Sequence, residues 1–434
     1  MKDSWIGPEE ILAKKQKYLM PCMYHFYKEP PQFVRGSGMY MYDHRGKEYL
    51  DFYAGVSVHG LGHCHPEMVE TICNQVKTLQ HTTTIYLQES IVNLAEALAL
   101  FSPWNIPRTF FCASATEAVE GACLLASLYT GRSEFIVLQN SLHGRTKLGM
   151  SLTGLSFWRT DPFPVGGISH APAPCCYHCH KPEKDNLQCA LEIEKIISTC
   201  TSGKIAAFIA EPIQGNGGIT VPPDGYFPLV HDIVKKAGGL FIVDETQTGF
   251  GRTGKKFAME HYGIEPDIVC GGKALGGGTP IGFFSAKEEI AQSYRRPGAS
   301  TFGGNPVSME AGKKFLEILV RENLIESAFQ KGQILEKGLR KLQERFPELV
   351  GDVRGKGLMF GIELGSSALS PNPGLTDAIL EQAKNKGLLL GKTGPSRNVL
   401  TFMPPLIVTE RQITQAFEIV EKILDSGLAR DVVL

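Results

Sequence analysis

The chain has 434 residues, 43% hydrophobic and 21% charged, and 44 Lys and Arg face 45 Asp and Glu for a net charge of −1. That composition suits a globular chain with more than one domain and excludes a basic nucleic-acid surface or an acidic tail. The apolar runs are short and interrupted, so no membrane span is expected; MKDSWIGPEE opens no secretory signal, and eleven scattered cysteines suit reduced thiols in a cytoplasmic protein.

Residues 1–55 are rich in aromatics and turns, and alternating Met39-Tyr40-Met41-Tyr42 predicts a hairpin that returns over 48–52. A Gly/His loop, HGLGHCHP, ends in Pro66, a favoured first helical residue. Helices are predicted over 67–79 and 87–101. From Pro107 the chain alternates strand and helix. Strands are predicted at 109–112, 135–138, 205–210, 240–243 and 267–270, with helices from Ser114 to Tyr129 and over 226–237. This alternation implies a mostly parallel sheet covered on both faces. Beyond Ser308, long helices at 309–321, 324–346, 376–386 and 410–426 flank short strands at 358–363 and 398–402. The expected division is a large α/β domain over 56–307 and a smaller α/β domain over 308–434, which residues 1–55 join.

The chemistry centres on 240–273. One apolar run ends in Asp244-Glu245, followed by TQTGFGRTG; another ends in Gly271-Gly272-Lys273. Neighbouring parallel strands would bring the acid and the lysine to one sheet edge, where open α/β sheets bind ligands. A desolvated lysine can form a Schiff base, and a carboxylate can hold a pyridine nitrogen protonated; together they are what pyridoxal phosphate (PLP) requires. Gln247 could reach the ring hydroxyl, and Glu245 could serve only as a salt-bridge partner. Ser114-Ala115-Thr116 at a helix start offers free N–H groups and hydroxyls to a phosphate, although an ordinary N-cap would look the same. The cluster CCYHCHKP at 175–182 contains soft-metal ligands, but it lacks two separated ligand pairs and reads as a surface loop, with no metal expected.

The motifs DETQTGFGRTG, PDIVCGGKALGGG and TFGGNP make the chain resemble the class III aminotransferases, PLP enzymes of fold type I, along nearly its whole length. The resemblance implies that Lys273 carries the cofactor, Asp244 meets the ring nitrogen and Gln247 the ring hydroxyl. It also implies that Ser114, Ala115 and Thr116 cradle the phosphate, that Leu142 and His143 lie against the cofactor, and that Thr301 reaches the phosphate across a homodimer interface. Three positions depart from the family pattern. Leu142 replaces an aromatic ring, a loss of about 1 kcal/mol of stacking. Ala115 replaces glycine, which is costly only at positive φ. Thr401 stands where an arginine normally clamps a carboxylate and pairs with the glutamate equivalent to Glu211. Arg145, which in relatives binds a distal carboxylate, is retained, and Arg397 in the loop TGPSRNVL is a possible substitute for the missing arginine.

One anion site without the second clamp suits a small primary amine bearing a phosphonate, phosphate or carboxylate. The reading preferred from these departures is an elimination lyase that releases ammonia and an aldehyde, acting on a hydroxylated aminoethylphosphonate or an aminoalkyl phosphate. Lys273, Asp244 and Glu211 would be catalytic, and Arg145, Glu211 and Thr401 would bind substrate. The alternative is an ω-amine aminotransferase with an oxo-acid acceptor.

Overall fold

The computed structural model describes residues 5–174, 177 and 187–426; apart from Tyr177, the Cys/His cluster at 175–182 lies outside the described residues. Seven strands form the central sheet in the order Arg108–Cys112, Gly282–Ala286, Ile268–Gly272, Leu240–Asp244, Ala207–Ala210, Phe135–Leu138 and Ile168–Ala171. From Ile268–Gly272 to Ile168–Ala171 every neighbour is parallel. Gly282–Ala286 runs antiparallel to both of its neighbours. The sequence reading missed this strand, because its apolar run follows a glycine-rich loop rather than a helix.

The period of two in the strands builds two cores. Phe135, Val137, Ile209 and Ile242 face the helix Ala115–Thr130. Ile136, Leu138, Phe208 and Phe241 face the helices Gln188–Cys200 and Tyr226–Lys236. Burial on both faces is why these strands read as unbroken apolar runs. Each such side chain contributes about 1.5–3 kcal/mol on leaving water.

The hairpin forms as Tyr40–Asp43 against Glu48–Asp51, with Phe33–Ser37 added on its outer side. Leu388–Leu389 then pairs in parallel with Leu50 and Asp51, tying the N-terminal hairpin to the C-terminal part of the chain. A further antiparallel sheet contains Val350–Lys356, Met359–Ser367, Val399–Phe402 and Gly391–Thr393. The long helices Pro306–Arg321 and Leu324–Arg345 lie close to their expected bounds, as does Glu410–Asp425 with its Thr409/Gln412 capping box. Among the described residues, no helix is long and apolar enough to cross a membrane.

Candidate active site

Five strands end around one cavity of about 150 Å³. Asp244 closes its strand, and Lys273 directly follows the neighbouring parallel strand, where Asp244 is in register with Cys270. Glu211 follows Ala207–Ala210, Leu142 to Gly144 lie beyond Phe135–Leu138, and Ala115 lies beyond Arg108–Cys112. All of these residues, with Thr116 and Gln247, line the cavity. The convergence is a direct consequence of parallel pairing, which brings every strand's C-terminal end to the same side.

Asp244 is buried and held from two sides. Its Oδ2 accepts from His143 Nδ1 at 2.9 Å and its Oδ1 from the Thr246 backbone N–H at 3.1 Å. Burial pushes its pKa up, but the bonds and charge of His143 and Thr246 outweigh this, and the carboxyl stays below its ordinary value. Burial likewise opposes protonation of His143, yet the bond and charge of Asp244 carry its pKa above the usual imidazole value. His143 Nε2 is buried without a hydrogen-bond partner among the described residues.

Lys273 occupies left-handed backbone, φ 43°, at the start of the short helix Lys273–Gly276. Strain of this kind in a non-glycine residue is characteristic of working sites. Burial lowers the pKa of its ammonium against the opposing charges of Asp244 and Glu211. Glu211 accepts the Leu142 N–H at 2.9 Å and the Gly215 N–H at 3.0 Å. Burial, opposed by His143 and aided by Asp244, pushes its carboxyl up to about 7. Glu245 turns away from the cavity and makes no salt bridge among the described residues. Its carboxyl accepts the Thr248 hydroxyl and the N–H groups of Ala258 and Met259, stapling the strand end to the following turn.

The helix Ala115–Thr130 points its N-terminus at the cavity. Ala115 is its first residue and does not adopt positive φ, so the missing glycine costs nothing there. The Ser114 side chain is engaged with Glu117, accepting its N–H and donating to its carboxylate, and does not line the cavity. Gly144 has φ 132°, and a Cβ on it would fall on the Thr116 hydroxyl. Thr116 Oγ1 accepts the Arg145 N–H at 2.9 Å, while the Arg145 side chain is exposed and is not part of the lining. Thr301 is exposed in the single chain, also away from the lining. Thr401 is buried in the strand Val399–Phe402, and its hydroxyl has no partner among the described residues. Three lining residues escaped the sequence reading, Gly144, Asn216 and Thr246.

The comparisons with known proteins agree with this geometry. Residues 27–424 match the family described as aminotransferase class-III. The chain belongs to the class III aminotransferases. It is 40% identical over 411 residues to alanine–glyoxylate aminotransferase 2 homolog 2, mitochondrial, of Arabidopsis thaliana, covering 94% of this chain and 86% of that one. It is 36% identical to the acetylornithine aminotransferase of Methanothermobacter thermautotrophicus, covering 96% and 98% of the two chains. Among solved structures, an (S)-enantioselective omega-transaminase from Thermomicrobium roseum superposes with a TM-score of 0.90 at 30% identity over 98% of this chain and 99% of that one.

The protein is a PLP enzyme of fold type I. The residues present fit that cofactor. A helix N-terminus with free N–H groups can take a phosphate, and the missing side chain at Gly144 lets Thr116 of that helix start pack close against the neighbouring loop. Asp244, kept ionised, suits a pyridinium nitrogen, and Lys273 is the lysine that lines the cavity.

Proposed function

We propose that this chain is an aminotransferase that moves the amino group of a small primary amine or amino acid to an oxo acid, working as a homodimer. The observation that carries the reading is the placing of Lys273, Asp244 and Glu211 around one cavity at the ends of three adjacent parallel strands. The aminotransferase names of the relatives support transfer over the elimination that Thr401 had suggested. When bound, PLP supplies an aldehyde for amine exchange and a ring that accepts electron density from the carbon losing its proton.

The chain's own residues do the rest. Lys273 Nζ, with its pKa lowered by burial, moves the proton at the reacting carbon. Asp244 would hold negative charge at the ring nitrogen, and His143 fixes the orientation of that carboxylate. Ala115 and Thr116 at the helix start would hold the phosphate, Leu142 would offer the ring apolar surface, and Gln247 would meet the ring hydroxyl. Thr301 would serve the partner's cavity; its exposure beside exposed Phe302 in the single chain is consistent with that.

The test is oxo-acid dependence. An amine donor alone should be consumed to about one equivalent per active site, and adding pyruvate or glyoxylate should make turnover continuous, with one amino acid formed per amine used. Catalytic release of ammonia from an aminoalkyl phosphate or phosphonate without any oxo acid would reverse the assignment in favour of elimination.

A further inference from the structure

The turn between Gly391–Thr393 and Val399–Phe402 places a second cationic group beside the cofactor cavity. It closes through the Arg397 N–H, which donates to the Gly394 carbonyl at 3.0 Å. Arg397 has φ 57°, the left-handed region, where a residue with a Cβ is disfavoured by about 1–2 kcal/mol. A strained arginine where glycine would sit freely points to a use for its side chain.

That side chain is half-buried among rings. Its guanidinium carbon lies 5.3 Å from the Phe157 ring, 5.5 Å from Phe26 and 6.0 Å from Tyr24. It donates to the Tyr24 hydroxyl at 3.3 Å. No carboxylate pairs with it among the described residues, so most of its five N–H donors remain available to an anion.

Backbone bonds fix the turn to the cofactor cavity. The Gly394 N–H and the Thr393 hydroxyl both donate to the Asn216 carbonyl, at 3.0 and 2.7 Å. Asn216 lines the cofactor cavity, and with Arg397, Phe157 and Trp158 it also lines a second cavity of about 100 Å³. Asn216 is therefore common to the walls of both cavities. Thr401, by contrast, lines neither cavity, and its hydroxyl packs against Gly391, where a Cβ would meet both it and the Tyr53 ring.

We propose that Arg397 binds the substrate carboxylate in the cavity beside Asn216, so that the anion-binding role absent from Thr401 is carried by the turn. The substrates are then amino and oxo acids whose carboxylate meets the guanidinium while the rings of Phe157 and Trp158 face their apolar part. This deepens the aminotransferase reading and rests on it for the reaction, though carboxylate binding can be measured without turnover.

The experiment titrates butanoate and uncharged butanamide into the holoenzyme by calorimetry, for the wild type and for Arg397→Gly, Arg397→Lys and Arg145→Gln. Glycine relieves the left-handed strain, so the variant should fold. Butanoate should bind about 10–100-fold more weakly to Arg397→Gly, the loss expected for a charge-assisted bidentate pair. Arg397→Lys should fall between, because an ammonium cannot reproduce the planar fork. Arg145→Gln should match the wild type, and butanamide should not distinguish any of the proteins. In turnover, the KM for pyruvate should rise in Arg397→Gly while the single turnover of a carboxylate-free amine donor is retained. Equal binding of butanoate by the wild type and Arg397→Gly, or a loss in Arg145→Gln instead, overturns the proposal. Failure of oxo-acid dependence in the wild type would overturn the aminotransferase reading alone.

Discussion

The floor of the active site and its rim are built on opposite terms. At the floor, Asp244 and Glu211 are buried, and all their carboxylate oxygens accept hydrogen bonds from His143 or from backbone N–H groups. At the rim, Arg397 lies on left-handed backbone among partly exposed rings, and its guanidinium has no carboxylate partner among the described residues. The contrast has a physical basis. A floor that carries reaction chemistry must hold its charges in a fixed orientation, and a packed sheet edge does that with little reorganisation. A rim that selects substrates keeps its charge incompletely paired until the ligand arrives, at a cost in local stability.

The largest effect should come from the floor. Lys273→Ala should abolish activity by 10⁴-fold or more, on the order of a lost covalent and proton-transfer group, and remove the visible absorbance of bound PLP while circular dichroism stays unchanged. Asp244→Asn should lower kcat by roughly 10³-fold, because a neutral amide no longer holds the ring nitrogen protonated. An Asp244→Asn enzyme within tenfold of the wild type would break the floor's side of the contrast.

Glu211 tests whether the floor stores a proton. Its folded pKa of about 7 lies above its ordinary value, 4.5, so the folded state holds a proton that the unfolded chain releases. That contribution is fully present below about pH 4.5 and is lost as pH rises through 7. Over the window it amounts to about 3 kcal/mol at most, from roughly 1.4 kcal/mol per unit. Glu211→Gln should therefore show a shallower fall in Tm between pH 5 and pH 8 than the wild type, and a parallel fall would mean that the carboxyl is ionised throughout. The smallest effect belongs to the rim. Arg397→Gly should leave Tm unchanged or raise it slightly: relief of about 1 kcal/mol of left-handed strain is partly offset by removing the guanidinium from the faces of its neighbouring rings.

Much of the fold was legible beforehand. The strand Phe135–Leu138 was read to the residue, and the helix starting at Ser114 lay within a residue of its observed end, because buried parallel strands are continuous apolar runs and helices carry caps. The antiparallel strand Gly282–Ala286 was not legible, since it follows a glycine-rich loop rather than a helix and one of its two partners, Arg108–Cys112, is distant in the chain. In the site, Asp244, Lys273, Glu211 and Gln247 were legible as strand-end or motif residues. Gly144, Asn216 and Thr246 were not, because nothing local distinguishes a lining residue from a turn residue. Thr401 pointed toward elimination because a missing arginine is visible in a sequence, whereas the names of the relatives favour transfer.

The sequence by itself determined the cofactor chemistry. An acid and a lysine at the ends of neighbouring buried strands must meet once the strands pair in parallel, because parallel pairing brings both C-terminal ends to one side of the sheet. Only the tertiary structure decided where the site's charges face. The Asp244–His143 pair joins residues 101 apart in the chain, the Arg145 side chain is turned to solvent, and Arg397 lines a second cavity on a turn bonded to Asn216. Side-chain direction at a loop depends on backbone conformation and long-range packing, and neither is encoded in local spacing.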